Sequence, residues 1–181
     1  MLFRSGFAEP RWADKHIKTL DGSYRRAKHY EVYRGRIVEI FAGAYDNIAT
    51  LNMALLTQIA EWVEAKCRFE RSSDMHVVGA AGERLVGIVK KLGGAKYLSG
   101  KGGANYQEEM AFTAAGIELE YSTFKASTYP QLWGPFEGGL SILDLLFNVG
   151  PAAAEIVRQS GAVGRESGNH EHTSVGQEPL D

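Results

Sequence analysis

A strand, a glycine-rich turn and the start of a helix follow one another in Lys96-Tyr97-Leu98-Ser99-Gly100-Lys101-Gly102-Gly103-Ala104-Asn105-Tyr106. Such a loop presents unpaired backbone N–H groups and the positive end of a helix dipole, which suits a phosphate or a carboxylate. A plain strand–helix turn, which uses glycine only for its dihedral freedom, explains the same residues. The loop matches neither G-x-G-x-x-G nor G-x-x-x-x-G-K-[ST], so neither the dinucleotide fingerprint nor the Walker loop applies.

Helices precede this stretch, and helices alternate with strands around and after it. The hydrophobic pattern predicts helices over 12–27, 33–42, 47–65, 83–92, 105–115, 142–148 and 152–159, and strands over 67–72, 97–99 and 117–124. Strands separated by helices favour parallel β-α-β units. We therefore predict an α/β fold, in which a helical first half is followed by β-α-β units. These units form a small, mainly parallel sheet, as part of a larger doubly wound domain.

Composition divides the chain into three parts. We interpret 1–11 as a non-native or disordered leader and 12–160 as a single α/β domain. The segment 161–181 is rich in Gly, Ser, Glu, His and Pro, which predicts a disordered tail. Within the domain, the alternation of apolar and polar side chains over 117–124 is typical of a half-exposed strand, such as one at a sheet edge.

Charge and cysteine content exclude several classes of function. The 181 residues carry a net charge of −2, which provides no field for nucleic acid or an anionic membrane. Cys67 is the only cysteine, so it cannot form a disulfide within the chain, and we expect it to be a buried structural thiol. The pair His170-x-His172 has no third ligand at a suitable spacing, so no metal site is predicted. No apolar run reaches about 18 residues, which favours a cytoplasmic protein without a membrane span.

Polar and basic residues follow two of the predicted strands. Arg71-Ser72-Ser73-Asp74 ends the first strand, and Ser99-Gly100-Lys101-Gly102-Gly103 ends the next one. If the strands are neighbours, their ends share a crevice that suits a phosphate or nucleotide better than a metal. Arg84, at the start of the next helix, would add a cation. The alternative for Arg71 is an ordinary ion pair with an adjacent acidic residue.

Two residues are candidates for a general base. Glu109 lies one helical turn after Tyr106, beside the glycine-rich loop. His16 shares a predicted helix with Lys18, where the two would bind an anionic substrate and His16 would shuttle protons. For both candidates, the alternative is an ordinary residue on a solvated helix face.

An aromatic loop and an apolar helix near the end of the domain carry further candidates. Tyr129, Trp133 and Phe136 suit the wall of a pocket for a sugar ring, or a lid that covers the core. Asp144 and Asn148 stand one helical turn apart in an otherwise apolar helix capped by Ser141. Because buried polar groups need partners, we expect Asp144 or Asn148 to reach the site or to cap a neighbouring loop.

An ordered set of short segments carries a family resemblance. The segments are Lys15-His16-Ile17-Lys18-Thr19, Tyr24-Arg25-Arg26-Ala27, Arg71-Ser72-Ser73, Tyr97-Leu98-Ser99-Gly100 with Gly103 and Tyr106, Ala115-Gly116-Ile117-Glu118-Leu119, Tyr129-Pro130-Gln131-Leu132, and Leu140-Ser141-Ile142-Leu143-Asp144-Leu145-Leu146-Phe147-Asn148. Together they resemble the WbqC-like family of bacterial O-antigen and related polysaccharide loci. The resemblance covers about 12–161 and implies a glycine (aminoacyl) transferase activity toward a sugar. Tyr106 and Gln131, which stand in these segments, are also candidate substrate- or phosphate-binding residues.

The opening of the chain departs from the family pattern. The family begins with a segment similar to His-Gln-Pro-x-Tyr-Leu-Pro-Trp-x-Gly-Tyr-Phe, followed by an Asp-Asp-Val-Gln element, and neither is present here. The chain opens instead with Met1-Leu2-Phe3-Arg4-Ser5, which the end of a common sequencing adapter would encode. We therefore expect a chain truncated at its N-terminus, without the first strand units of the domain.

The leading hypothesis is a transferase that moves an acyl or aminoacyl (glycyl-type) group to an amino sugar. A carboxylate must be activated before it acylates an amine, so the reaction needs ATP or an activated acyl donor such as a thioester. The two strand ends would hold the phosphate part, and Glu109 or His16 would be the base. The alternatives are a non-catalytic nucleotide or sugar-nucleotide binding module and an inactive truncated fragment. The predicted partner is a small sugar or nucleotide ligand, and the sequence leaves the oligomeric state open.

Overall fold

The architecture comes from a computed structural model that describes residues 6–7, 9, 11–100, 106–122, 124–162 and 165–167. Its elements are α1 (Trp12–Tyr24), α2 (Tyr30–Phe41), α3 (Ile48–Trp62), α4 (Ala81–Lys91), β1 (Lys96–Gly100), α5 (Tyr106–Ala114), β2 (Glu118–Ser122), α6 (Ile142–Val149), a 3₁₀ turn (Gly150–Ala152), α7 (Ala153–Ala162) and β3 (Arg165–Ser167). A helical first half followed by a β-α-β unit confirms the predicted α/β class.

The chain divides into two compact units, which we treat separately. The helical unit comprises Met1–Asp74 and Phe124–Val163, and the sheet unit comprises Met75–Thr123 and Gly164–Asp181. The predicted extents of leader, domain and tail stay predictions.

Two helices of the helical unit begin at the predicted caps. The Asn47 side chain accepts a hydrogen bond from the Thr50 backbone N–H at 3.1 Å, which satisfies an unpaired donor at the start of α3. Ser141 Oγ accepts from the Leu143 N–H at 3.2 Å and caps α6 in the same way. Both helices therefore begin where the sequence predicts them.

The core of the helical unit centres on α2 and α6. Phe147 and Leu146 of α6 are fully buried, and Tyr30 and Ile37 of α2 are at most 2% exposed. The Phe147 ring lies 4.9 Å from that of Tyr30 in an edge-on arrangement that aromatic pairs favour. Since the His29 N–H also donates to the Phe147 carbonyl at 2.9 Å, the start of α2 is attached to α6.

The sheet unit contains the predicted β-α-β motif. β1 runs parallel to β2, with Lys96 opposite Glu118, and α5 connects the two strands. The Tyr97 ring stacks on Phe112 of α5 at 4.9 Å, and Phe112 forms a small core with Val89 and Ile117. The strand order is β1-β2-β3, so β2 is the central strand and not an edge, because β3 pairs with it antiparallel on its other side.

The predicted strand over 67–72 is wrong. Residues 65–71 have no regular structure and 72–76 form turns. The segment alternates apolar and charged residues, but within the described part of the chain no strand pairs with it, and pairing is what stabilises a strand. Arg68 and Glu70 instead pair with each other at 2.9 Å. Cys67 is exposed, so its prediction as a buried thiol is also wrong.

The helices of the described ranges lack the features of a membrane span. None of these helices combines the length and the apolar composition that crossing a bilayer requires.

Candidate functional site

A buried carboxylate on α6 is the centre of the best-formed polar cluster in the helical unit. Asp144 is 4% exposed, and its Oδ2 accepts hydrogen bonds from the Tyr129 hydroxyl at 2.7 Å and from Gln131 Nε2 at 3.0 Å. Asn148, one turn later, donates from Nδ2 to the Asp144 backbone carbonyl at 2.8 Å. Tyr24 of α1 also interacts with Asp144, which raises the pKa of this tyrosine. We call Tyr24, Tyr129, Gln131 and Asp144 the Asp144 cluster.

The 124–140 loop supplies two members of this cluster. In the part of this segment that is described there is no helix or strand, so side-chain contacts position it. Gln131 Oε1 accepts from the Glu137 N–H at 2.7 Å while its Nε2 donates to the Glu137 carbonyl at 2.9 Å, which ties the loop to itself. Trp133 Nε1 donates to the Ser23 carbonyl of α1 at 2.9 Å, and Arg26 lies 4.5 Å over the Trp133 ring.

Neutral donors hold the Asp144 carboxylate. Burial raises the pKa of Tyr129 to about 12, and the hydrogen bond to Asp144 contributes to the shift. Burial first and Asp144 second raise the pKa of Tyr24 to about 12 as well. Both hydroxyls are therefore protonated donors at neutral pH. Among the residues that the structure describes, no lysine, arginine or histidine forms an ion pair with Asp144.

An apolar pocket of about 220 Å³ shares the Tyr129 side chain with the cluster. Its walls come from the loop and from α6 and α7, so it lies within the helical unit. Its apolar lining includes Phe136, Ile142, Leu145, Ile156 and Val157. The site thus combines a buried anion with an adjacent space for an apolar group.

Four of the sequence-predicted site residues come together here: Tyr129, Gln131, Asp144 and Asn148. Sequence reasoning missed Tyr24 as a member, although Tyr24 stands in one of the family-like segments. Its position on the last turn of α1 gave no sign that its hydroxyl faces a carboxylate more than 100 residues away.

His16 and Lys18 lie elsewhere on α1 and are exposed. His16 Nδ1 is 2.8 Å from the Trp12 carbonyl, and its ring packs edge-on against Phe41. Neither residue contacts the Asp144 cluster in the described structure. Their roles as base and anion ligand stay predictions.

The predicted phosphate crevice was based on two neighbouring strands, and the first of these strands does not form. Arg71, Ser72 and Ser73 belong to the helical unit and follow no strand, and Ser73 Oγ donates to Asp74 Oδ1 at 3.0 Å. Ser99 and Gly100 end β1 in the sheet unit. Their joint binding of a phosphate therefore stays a prediction without support from adjacent strands.

The remaining candidates lie in the sheet unit. Lys101, Gly102 and Gly103 fall outside the described residues, and Tyr106 is the first residue of α5. Arg84 is half-buried on α4. Glu109 Oε1 accepts from the Tyr121 hydroxyl at 2.8 Å, so this carboxylate already has a partner.

The described residues were candidates for metal ligands only at His, Cys, Asp and Glu positions. They contain no group of three or more His, Cys, Asp or Glu side chains placed to hold a metal ion. The pair His170 and His172 lies outside the described residues.

Comparisons with known proteins agree with the order of the segments. The family model for WbqC-like proteins matches residues 6–156. The uncharacterized protein Rv1507c of Mycobacterium tuberculosis is 31% identical over 149 residues, which are 81% of this chain and 64% of that relative. The chain thus spans less than two thirds of the length of this relative. No solved structure matches the chain.

Proposed function

We propose, starting from the fact that the chain belongs to the WbqC-like protein family, that it is a transferase of bacterial cell-surface polysaccharide biosynthesis. The reaction moves an acyl or aminoacyl group to the amine of an amino sugar. One observation carries the proposal: the Asp144 carboxylate is buried, and the donors that the described residues provide for it, Tyr129 and Gln131, are neutral. An amine is the substrate group that such a carboxylate suits best.

The electrostatics of the cluster favour an amine ligand. A buried charge costs free energy unless a partner compensates it. An amine is a cation when protonated and a hydrogen-bond donor when neutral, so it suits Asp144 in both states. A substrate amine can replace Gln131 as a donor to Asp144 at the lowest cost. Gln131 Nε2 also donates to the Glu137 carbonyl at 2.9 Å, so it keeps a partner when its hydrogen bond to Asp144 is broken.

Acyl transfer to that amine requires a base. The amine nitrogen attacks the acyl carbonyl carbon, a C–N bond forms, and the bond from that carbon to the leaving group breaks. The nitrogen loses one proton, which Asp144 accepts and passes to the leaving group: a thiolate, an alkoxide or, from an ATP-activated donor, a phosphate. Tyr129, which stays protonated at neutral pH, holds the carboxylate in position during this transfer.

The donor is ATP-activated or already activated, for example as a thioester, because a free carboxylate does not acylate an amine. Arg71, Ser72 and Ser73 of the helical unit stay proposed phosphate ligands, and the Ser99–Gly103 loop of the sheet unit stays a separate proposed phosphate contact. His16 and Glu109 remain alternative bases in this proposal.

A direct test measures amide formation by mass spectrometry. The chain is incubated with acetyl, glycyl or hexanoyl thioesters, with or without ATP, and with a UDP-linked amino sugar. We expect a product whose mass equals the amino sugar plus the acyl group. Asp144→Asn should lower the rate by about 10²–10⁴-fold, the usual range for loss of a general base.

The matched control is Asp14→Asn, which removes an exposed carboxylate from the first turn of α1 that is not part of the Asp144 cluster. Its rate should equal that of the unaltered chain. An unchanged rate in Asp144→Asn would overturn the assigned role of Asp144. Binding of the sugar nucleotide without product from any donor would favour the alternative, a non-catalytic binding module.

A further inference from the structure

The pocket beside the Asp144 cluster has a lining without charge. Among the described residues that form it, none is acidic or basic. Phe124 and Leu140, which are 68% and 48% exposed, add apolar surface to the lining. A ligand group with a net charge would leave water here without gaining a counter-ion, which costs free energy.

The hydroxyl groups of the lining already have partners. Ser160 Oγ donates to the Ile156 carbonyl at 2.8 Å and lies 3.1 Å from Ser127 Oγ. Ser141 Oγ caps α6, and the Tyr129 hydroxyl donates to Asp144. The hydroxyl groups of the pocket therefore need no hydrogen bond from a ligand, and the surface that a ligand meets there is mainly apolar.

We propose that this pocket receives the transferred group, and that this group is an uncharged apolar acyl chain or ring rather than a glycyl group. The inference rests on the proposed function and names the donor's chemical class. A cavity of about 150 Å³ with an apolar lining admits benzene, so about 220 Å³ admits a branched chain or a six-membered ring. A glycyl group has no side chain to fill this volume, and its ammonium group finds no anion in the lining.

The test measures binding without an acceptor, so it does not depend on turnover. Acetyl, butanoyl, hexanoyl and glycyl thioesters of N-acetylcysteamine are titrated into the full chain by calorimetry. We expect Kd to fall about fourfold for each added methylene group until the pocket is full. The glycyl thioester should bind more weakly than the butanoyl thioester.

Filling the pocket provides the matched variants. Ala126→Leu adds three carbons to the lining and should weaken hexanoyl binding at least tenfold while changing acetyl binding little. Thr128→Leu introduces the same leucine side chain in the same loop, at an exposed position outside the lining, and should leave all affinities unchanged. If Ala126→Leu fails to fold, Val157→Phe fills the same space from α7.

The outcomes separate this inference from the proposed function. Affinity that is independent of chain length, or unaffected by filling the pocket, would overturn the inference even if amide product forms. Length-dependent binding without any amide product would leave the pocket assignment standing and overturn the transferase proposal.

Discussion

At the scale of single residues, Asp144 connects a helix to a loop that has no regular structure of its own. Its carboxylate is the acceptor for Tyr129 and Gln131, so removing its negative charge affects both of these side chains at once. Both partners are neutral hydrogen-bond donors, so neither carries a charge that compensates that of a carboxylate. This combination of burial and incomplete compensation distinguishes Asp144 from the exposed acids of the chain.

The charge of Asp144 can be tested through its tyrosine neighbours. In Asp144→Asn, the pKa of Tyr24 and Tyr129 should fall from about 12, because the negative charge that opposes tyrosinate is gone. Both values should remain above the ordinary value of 10.0, because burial is the larger cause. Ultraviolet titration of tyrosinate measures the change. An identical titration curve for variant and unaltered chain would contradict the assigned contacts, and Asp14→Asn is the control.

The lowered pKa of Asp21 predicts how the free energy of unfolding changes at acidic pH. Its carboxylate accepts from Arg34 Nε at 2.6 Å and from the Tyr30 hydroxyl at 2.8 Å, and the Arg34 hydrogen bond is the main cause that lowers the pKa of Asp21 from 3.8 to about 2. A lowered pKa means that this contribution is fully present above about pH 4 and is lost as the pH falls toward 2.

Urea unfolding across this pH range measures the effect. Asp21→Asn should be less stable above pH 4, and its deficit should shrink as the pH approaches 2. A constant deficit between pH 2 and pH 5 would show that Asp21 is not ionised preferentially in the folded chain. Since both side chains of the pair are about one third exposed, solvent screening keeps the effect modest.

At the scale of elements, the end of α6 packs closely against the turn between α1 and α2. Gly150 has φ +66°, and a Cβ there would lie 2.6 Å from His29 Nδ1. The His29 N–H is fixed by the Phe147 carbonyl, so the backbone beneath the ring cannot shift freely. Position 150 therefore requires glycine for two reasons: its φ is positive, and a Cβ atom would collide with His29.

Gly150→Ala should therefore lower the free energy of unfolding by about 1–3 kcal/mol, through backbone strain and the contact with His29. Gly35→Ala is the matched control, because Gly35 lies inside α2 with open space around it. That change should stabilise the chain by about 0.5–1 kcal/mol. Thermal or urea unfolding measures both. Equal effects of the two substitutions would contradict the packing at Gly150.

The elements that could be predicted from sequence are those with local signals. Asn47 and Ser141 marked helix starts, and regular apolar spacing marked α2, α3 and α6. The segment after α3 misled because Cys67 and Phe69 alternate with charged residues as in a strand. Strand formation depends on a partner, and partners are not encoded locally.

The site was predictable only in part for a related reason. Asp144 stood out as an acid within an apolar helix, which made a polar contact necessary. Its partners Tyr129 and Gln131 were identifiable through the family-like segment. The interaction of Tyr24 with Asp144 and the walls of the apolar pocket arise from the packing of segments that are distant in the sequence. No spacing of residues within the sequence indicates such contacts.

At the scale of the whole molecule, the two units have separate cores. The buried cluster around Phe147 and Leu146 has no member in common with the cluster of Val89, Phe112 and Ile117. Loss of packing in one cluster therefore removes no member of the other cluster. Stability is expected to be local to each unit.

Hydrogen exchange measured by mass spectrometry tests this independence. Phe112→Ala, at a residue 1% exposed, should cost about 3–5 kcal/mol and raise exchange in α4, α5, β1 and β2. Exchange in α2 and α6 should stay as in the unaltered chain. Leu146→Ala, at a fully buried position, should give the opposite pattern. A similar rise in both units for either variant would contradict separate cores.

The exposed position of Cys67 gives the molecule a practical property. It is the chain's single thiol, so a maleimide dye or a nitroxide would attach at one known place without any substitution. That place follows α3 and comes shortly before the boundary of the helical unit at Asp74. Fluorescence anisotropy or electron paramagnetic resonance of the attached group would report how this connecting stretch tumbles while thioesters and amino sugars are added.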